Sequence, residues 1–240
     1  MSKGIYVALS GALAHQTTLE SVATNLANAS TLGYRSVVPA FREVLGRTGG
    51  PARDAPRFSA VRRTGIDTTE APRETTERPL DASLGRGSFL AVQTPAGERY
   101  TRAVSLEVAS DGTLRTRSGF PVLTEAATPL VLEPGSAPSL SQAGEVAVGG
   151  QVVGRLRIVS FQNPGDMSYE GAYLLAPGPS AGRPDISGEP LVIGSLELSN
   201  TSPVRAMTDL MLATRMSEAM DRAIGAFREA DQRLASTVPK

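Results

Sequence analysis

MSKGIYVALSGALAHQTTLESVATNLANASTLGY, residues 1–34, is the stretch that decides the fold. Between Ile5 and Tyr34 the one formally charged side chain is Glu20. Gln16, Thr17, Thr18, Thr24, Asn25 and Asn28 interrupt the run too often for a bilayer span. A helix that is neither charged nor membrane-like needs protein on more than one face. Read in sevens, Ile5, Ala12, Leu19 and Leu26 share one position, and Ala8, His15, Val22 and Ala29 share the other. That is about three and a half heptads of a coiled-coil seam. Small residues at half the seam allow close approach. Helical from Gly4 to Asn28, the segment is ~37 Å long. Asn28, Ser30, Thr31 and Gly33 read as a stop, with Gly33 free to take the left-handed conformation beyond a helix end.

The far end mirrors the start. Ser202 reads as an N-cap and Pro203 fits the first helical position. Ala206, Ala213, Met220, Phe227 and Leu234 recur every seven, with Met216, Ala223 and Ala230 as companions and Leu210 and Ile224 beside them. The first companion slot is Asp209, tolerable near the positive end of the helix dipole. Arg205, Arg215, Arg222, Arg228 and Arg233 mark the polar face with Glu218, Asp221, Glu229 and Asp231. Both helices return to one central body, so mutual antiparallel packing is expected, and methionine suits an adaptable interface.

Between them, residues 35–78 lack periodicity and carry Gly49-Gly50-Pro51 and many arginines, which reads as an extended connector. From Pro79 the pattern is β. Phe89–Thr94 is a strand, Pro95-Ala96-Gly97 a turn and Glu98–Val108 a strand region. Asp111-Gly112 is a hairpin turn. Ala143-Gly144 and Gly149-Gly150 separate further short strands, and Arg155-Leu156-Arg157-Ile158 alternates as a half-buried strand should. The expected architecture is α+β: a central, mainly-β antiparallel roll or barrel-like domain (79–198), flanked by an N-terminal helix (1–34) and a C-terminal helix (199–240) packed as an antiparallel coiled coil.

Composition removes several functions. The chain has 24 basic and 24 acidic residues, a net charge of zero and no electrostatic footprint for nucleic acid. Lys3 and Lys240 are its only lysines, and cysteine is absent. Schiff-base, P-loop and thiolate chemistry are thereby excluded. His15 is the single histidine and sits on a presumed seam, so few metal ligands exist. Gly85-Arg86-Gly87-Ser88 lacks the flanking pattern of a nucleophile elbow or phosphate loop. Asp81, Glu107 and Asp111 could pair in space, but carboxylates near turns are usually solvated or capping. No enzyme, cofactor or metal is expected. Lys3, Ile5–Leu13 and Ala12-Leu13-Ala14 imitate a short signal peptide. The apolar spacing continues past the supposed site, so no cleavage is expected.

Three ordered motifs carry a resemblance over essentially the whole chain. GIYVALSGALAHQTTLESVATNLANASTLGYR, with Asn25, Ala27-Asn28, Thr31 and Gly33-Tyr34, is similar to the N-terminal signature of the flagellar basal-body rod and hook family. The stretch from Arg78, RPLDASLGRGSFLAVQTPAGERYTRAVSLEVASDGTLRTRSGFPVL, resembles its shared central β domain. Leu196-Glu197-Leu198-Ser199-Asn200, then Pro203-Val204, Met207, Arg215 and Glu218, resembles its C-terminal motif. Gly4-Ile5-Tyr6-Val7-Ala8 and the modest length look most like the FlgF-type members. The resemblance implies a structural rod subunit, exported by the flagellar type III apparatus and placed in the periplasmic basal body with other rod proteins and copies of itself. Ile5, Ala12, Leu19, Val22 and Leu26, with Met207, Met216, Met220, Ile224 and Phe227, are expected to form the assembly interface. Asn25, Asn28, Gly33 and Tyr34 are expected to set the helix exit. Peptidoglycan, a bushing ring or another subunit are alternative contacts for the Arg-rich connector. The rival readings are a distal-rod or hook-family subunit, or an exported β-domain binding module with coiled-coil oligomerisation.

Overall fold

The computed structural model describes residues 3–45, 57–133 and 135–237. Among these are two α-helices, a short 3-10 helix (Pro164–Asp166) and seventeen strands, an α+β architecture. In chain order they are α1 (Lys3–Ala27), β1 (Val37–Leu45), β2 (Arg57–Ile66), β3 (Arg73–Thr75), β4 (Asp81–Ser83), β5 (Ser88–Thr94) and β6 (Gly97–Thr101). Next come β7 (Val104–Val108), β8 (Leu114–Thr116), β9 (Pro138–Leu140), β10 (Glu145–Val148), β11 (Gln151–Arg155) and β12 (Ile158–Ser160). The last are β13 (Met167–Glu170), β14 (Leu174–Pro177), β15 (Asp185–Ile186), β16 (Val192–Ile193), β17 (Ser195–Glu197) and α2 (Pro203–Thr237). No helix among the described residues is long and apolar enough to cross a membrane.

The chain divides into two compact units. The first holds Met1–Ala27, Val37–Gly65 and Pro203–Lys240. Within it β1 and β2 pair as a two-stranded sheet. The segment read as an aperiodic connector therefore carries strands. Pro39 lies inside β1; proline cannot donate to a ladder, and a two-stranded sheet tolerates it at its edge. In the same unit α1 and α2 lie side by side. A Cβ on Gly11 would stand 3.7 Å from Met220 Cε, while His15 Nε2 is 3.0 Å from the Ala213 carbonyl. Moving forward along α1 moves backward along α2, so the helices are antiparallel. Ala206 and Ala213 are buried, and Leu210, Ser217, Met220 and Ile224 are half-buried. The companion set read from the heptads differs: Met216 and Ala223 are exposed. The step from Ala206 to its partner is four residues rather than three. A helix of 3.6 residues per turn then aims Leu210 inward and releases Asp209 to solvent.

The second unit holds Asn28–Ser36 and Ile66–Ser202. Its strands form sheets ordered β13-β14-β6-β5-β12-β15, β16-β4-β7-β8, β11-β10-β9 and β17-β3. The recorded pairings are antiparallel. No closed barrel forms among the described residues: the six-stranded sheet ends at β13 and at β15. Strand β5 shows why this unit needs two cores. Its side chains alternate between faces. Leu90 and Val92 enter a cluster with Leu84, Leu106, Leu114 and Val122. Phe89 and Ala91 enter another with Tyr100, Phe161, Met167 and Leu175. The Asp111-Gly112 hairpin joins β7 to β8, with Gly112 at φ +80°. Gly149-Gly150 joins β10 to β11 with both residues at positive φ, as a tight hairpin of that kind demands. The expected strand regions at 98–108 and 155–158 are each split: β6 ends at Thr101, and β11 ends at Arg155.

Candidate assembly site

In the β unit, two sequence motifs far apart along the chain meet. Gly33 N–H donates to the Glu197 carbonyl at 2.8 Å, and Asn200 N–H donates to the Tyr34 carbonyl at 3.2 Å. Ser36 N–H donates to Asn200 Oδ1 at 2.7 Å, and Arg35 N–H to the Tyr169 hydroxyl at 2.7 Å. The Tyr34 and Tyr169 rings stack with centroids 4.8 Å apart. Beneath them the Glu197 carboxylate accepts from Arg35 Nη2 on one oxygen and from Arg102 Nε at 2.7 Å on the other. All three side chains are at most 3 % exposed. Arg102 also donates to the Ser88 carbonyl and lies 5.6 Å from the Phe89 ring centroid. Burial lowers the pKa of its guanidinium against the pull of Glu197. The cluster carries one more positive charge than negative, so it stands on charge-assisted bonds to Glu197.

The helix-exit residues are placed as follows. Asn25, within the helical unit, grips the backbone of Val37 at both ends: Oδ1 accepts from its N–H at 2.6 Å and Nδ2 donates to its carbonyl at 2.9 Å. Asn28 accepts from Thr31, at its carbonyl from the backbone N–H and at its side chain from the hydroxyl. Gly33 sits at φ +66°, where a Cβ would stand 2.6 Å from the backbone of Arg102 and Ala103. Tyr34 is buried.

Burial pushes the Tyr34 phenol from 10 up to about 12. Burial also raises Tyr169 and, together with nearby Glu98, Tyr100. A phenol that the fold keeps neutral contributes its stability fully below pH 10 and loses it as pH climbs towards about 12. Denaturant midpoints should therefore fall across that window, and Tyr34→Phe should flatten the fall; a midpoint independent of pH there would contradict the burial.

Of the carboxylates that could have paired for catalysis, Asp81 accepts from Ser105 at 2.8 Å. Asp111 pairs with Arg115 at 2.6 Å, and Glu107 stands opposite Arg115 in the β7–β8 register. Asp81 is held by Ser105, while Asp111 and Glu107 both lie beside Arg115. Among the described residues no group of three or more His, Cys, Asp or Glu is placed to hold a metal ion.

No family model matches the chain. It is 33 % identical to the flagellar basal-body rod protein FlgF of Escherichia coli, over 93 % of each chain. It is 31 % identical to FlgF of Salmonella typhimurium, over 97 % of each. To FlgG of Bacillus subtilis it is 26 % identical, over 98 % of this chain and 99 % of the other. The chain belongs to the FlgF-type flagellar basal-body rod proteins. It is a structural subunit of the flagellar basal-body rod. Ala12, Leu19, Val22 and Leu26 of α1 are half-buried, as are Met220 and Ile224 of α2. Met207 and Met216 face solvent. The side chains of Ile5 and Phe227 lie outside the described residues. Sequence reading missed Arg35, Arg102, Tyr169 and Glu197 as a cluster. Glu197 was visible as part of a family motif, but nothing in a strand's alternation marks which glutamate will be buried.

Proposed function

We propose that this rod subunit polymerises through α1 and α2 into the helical shaft that transmits torque, with the two helices of each copy packed as an antiparallel coiled coil. One observation carries the reading. Val204, Met207, Met211, Leu212 and Met216 are 75, 55, 60, 61 and 52 % exposed within a little over three turns of one helix. An apolar surface so concentrated calls for cover. Covering each such side chain contributes ~1.5–3 kcal/mol. Contacts that differ on the two sides of a subunit build a helical tube when they do not close into a ring. Ala12, Leu19, Val22 and Leu26, with Met220 and Ile224, hold the helix pair, while Met207 and Met216 face neighbours. Asn25, Asn28, Gly33 and Tyr34 set where the chain leaves the helix. The partners are other rod proteins and further copies, reached after export by the flagellar type III apparatus without signal cleavage. The setting is the periplasmic basal body, and the role needs no catalysis and no cofactor.

Electron microscopy of basal bodies from cells lacking this chain should show the rod absent or stopped short, with hook and filament missing. Complete rods with normal filaments would refute the reading. A charged residue at the helix pair, Leu19→Asp or Met220→Asp, should block assembly while near-UV circular dichroism of the β unit stays unchanged. Normal swimming of the double variant would count equally against it.

A further inference from the structure

Around α2, with 3.6 residues per turn, two flanks lie on either side of the strip that faces α1. One carries Arg205, Asp209, Leu212 and Met216; the other carries Glu218, Arg222 and Gly225. Leu212 and Met216 project apolar bulk into solvent. Gly225 does the opposite. A Cβ there would meet nothing within 4 Å. It opens into a cleft of about 520 Å³ that Leu13, His15, Met220 and Ile224 help to line. Bulk and notch sit on one helix and cannot meet within one chain.

We propose that a second copy docks its α2 beside this one, parallel and shifted by 13 residues, so that Leu212 of one copy fills the notch at Gly225 of the next. The shift is ~20 Å along the helix. It rests on the assembly reading above and specifies its contact. Charge chooses the register. At the same 13-residue offset Arg205 meets Glu218 and Asp209 meets Arg222, both opposite in sign. The standing Arg222–Glu218 pair, 3.6 Å apart and largely exposed, is weak enough to share its partners. Turning the second helix round with Leu212 still on Gly225 gains Asp209 against Arg228. It also sets Arg215 against Arg222 and leaves Arg205 facing Gln232; the parallel offset carries its own like pair, Arg215 against Arg228, but holds two opposite pairs to the reversed helix's one. A screw operation keeps every copy pointing the same way, which agrees with the parallel choice. Donor flank and acceptor flank differ, and each copy is displaced ~20 Å along the helix from the last, so the contact repeats without closing.

The chain has no cysteine, so thiols can be placed cleanly. Full-length Leu212→Cys and Gly225→Cys variants are mixed and treated with a short thiol-to-thiol cross-linker, with sedimentation run in parallel. The mixture should give covalent dimers that neither variant gives alone, and a chain carrying both changes should give a ladder. Dimers from Leu212→Cys alone would mean face-to-face docking and overturn the proposal. Loss of cross-linking with sedimentation like the wild type would overturn it too, leaving assembly through the helices standing. A wild-type chain that never self-associates would sink both. Arg205→Glu should weaken association, and Glu218→Arg in the same chain should restore it. Failure of that rescue would reject the register.

Discussion

Replacing Glu197 with alanine is expected to destabilise the chain by ~3–5 kcal/mol, enough to unfold the β unit in mild denaturant. The carboxylate is the shared acceptor of Arg35 and Arg102, and all three side chains are shut away from water. Without it two guanidiniums remain buried with no counter-charge. Arginine does not shed its proton to escape. Arg35 Nη1 already lacks a hydrogen-bond partner, so that side has no reserve. Glu197→Gln keeps the shape and an acceptor but not the charge, and should recover a minor part. Replacing all three side chains with apolar residues of similar volume should recover most of it, because the penalty is the orphaned charge rather than lost attraction. Equilibrium urea unfolding of the three variants measures this. A Glu197→Ala midpoint within error of the wild type would show the cluster to be reached by water.

Gly33→Ala should be comparably damaging, for a steric reason. At φ +66° a side chain costs ~1–2 kcal/mol from local strain. The larger cost is the 2.6 Å approach of the new Cβ to the Arg102–Ala103 backbone, which cannot swing away as a side chain can. Relief would require breaking the Gly33–Glu197 backbone bond that joins the two motifs. Gly87 is the internal control: it stands at φ +67° with nothing within 4 Å of its missing Cβ. Gly87→Ala should show the strain alone. Equal losses at the two positions, read from thermal or urea midpoints, would remove the close-approach argument.

Much of this protein was legible in the residues. The uncharged but interrupted opening, the seven-residue recurrences and Ser202-Pro203 located both helices. Asp111-Gly112 and Gly149-Gly150 located hairpins, because a tight turn admits few residue types. Gly33 was recognised as a left-handed position. Local chemistry settles such features, so a short window contains the whole cause.

Long-range packing settled the rest. Which of Asp209 or Leu210 turns towards α1 depends on the partner helix, since a seam read in sevens fixes one row and leaves its neighbour open by one residue. That the β unit stays an open set of sheets was hidden in strands which, apart from the seven-residue β5, have two to five residues, too short for alternation to declare a face. The Glu197 cluster joins residues 35, 102 and 197. No local pattern distinguishes a glutamate that will be buried with two arginines from one left in water, because that choice is made by the surfaces that close over it.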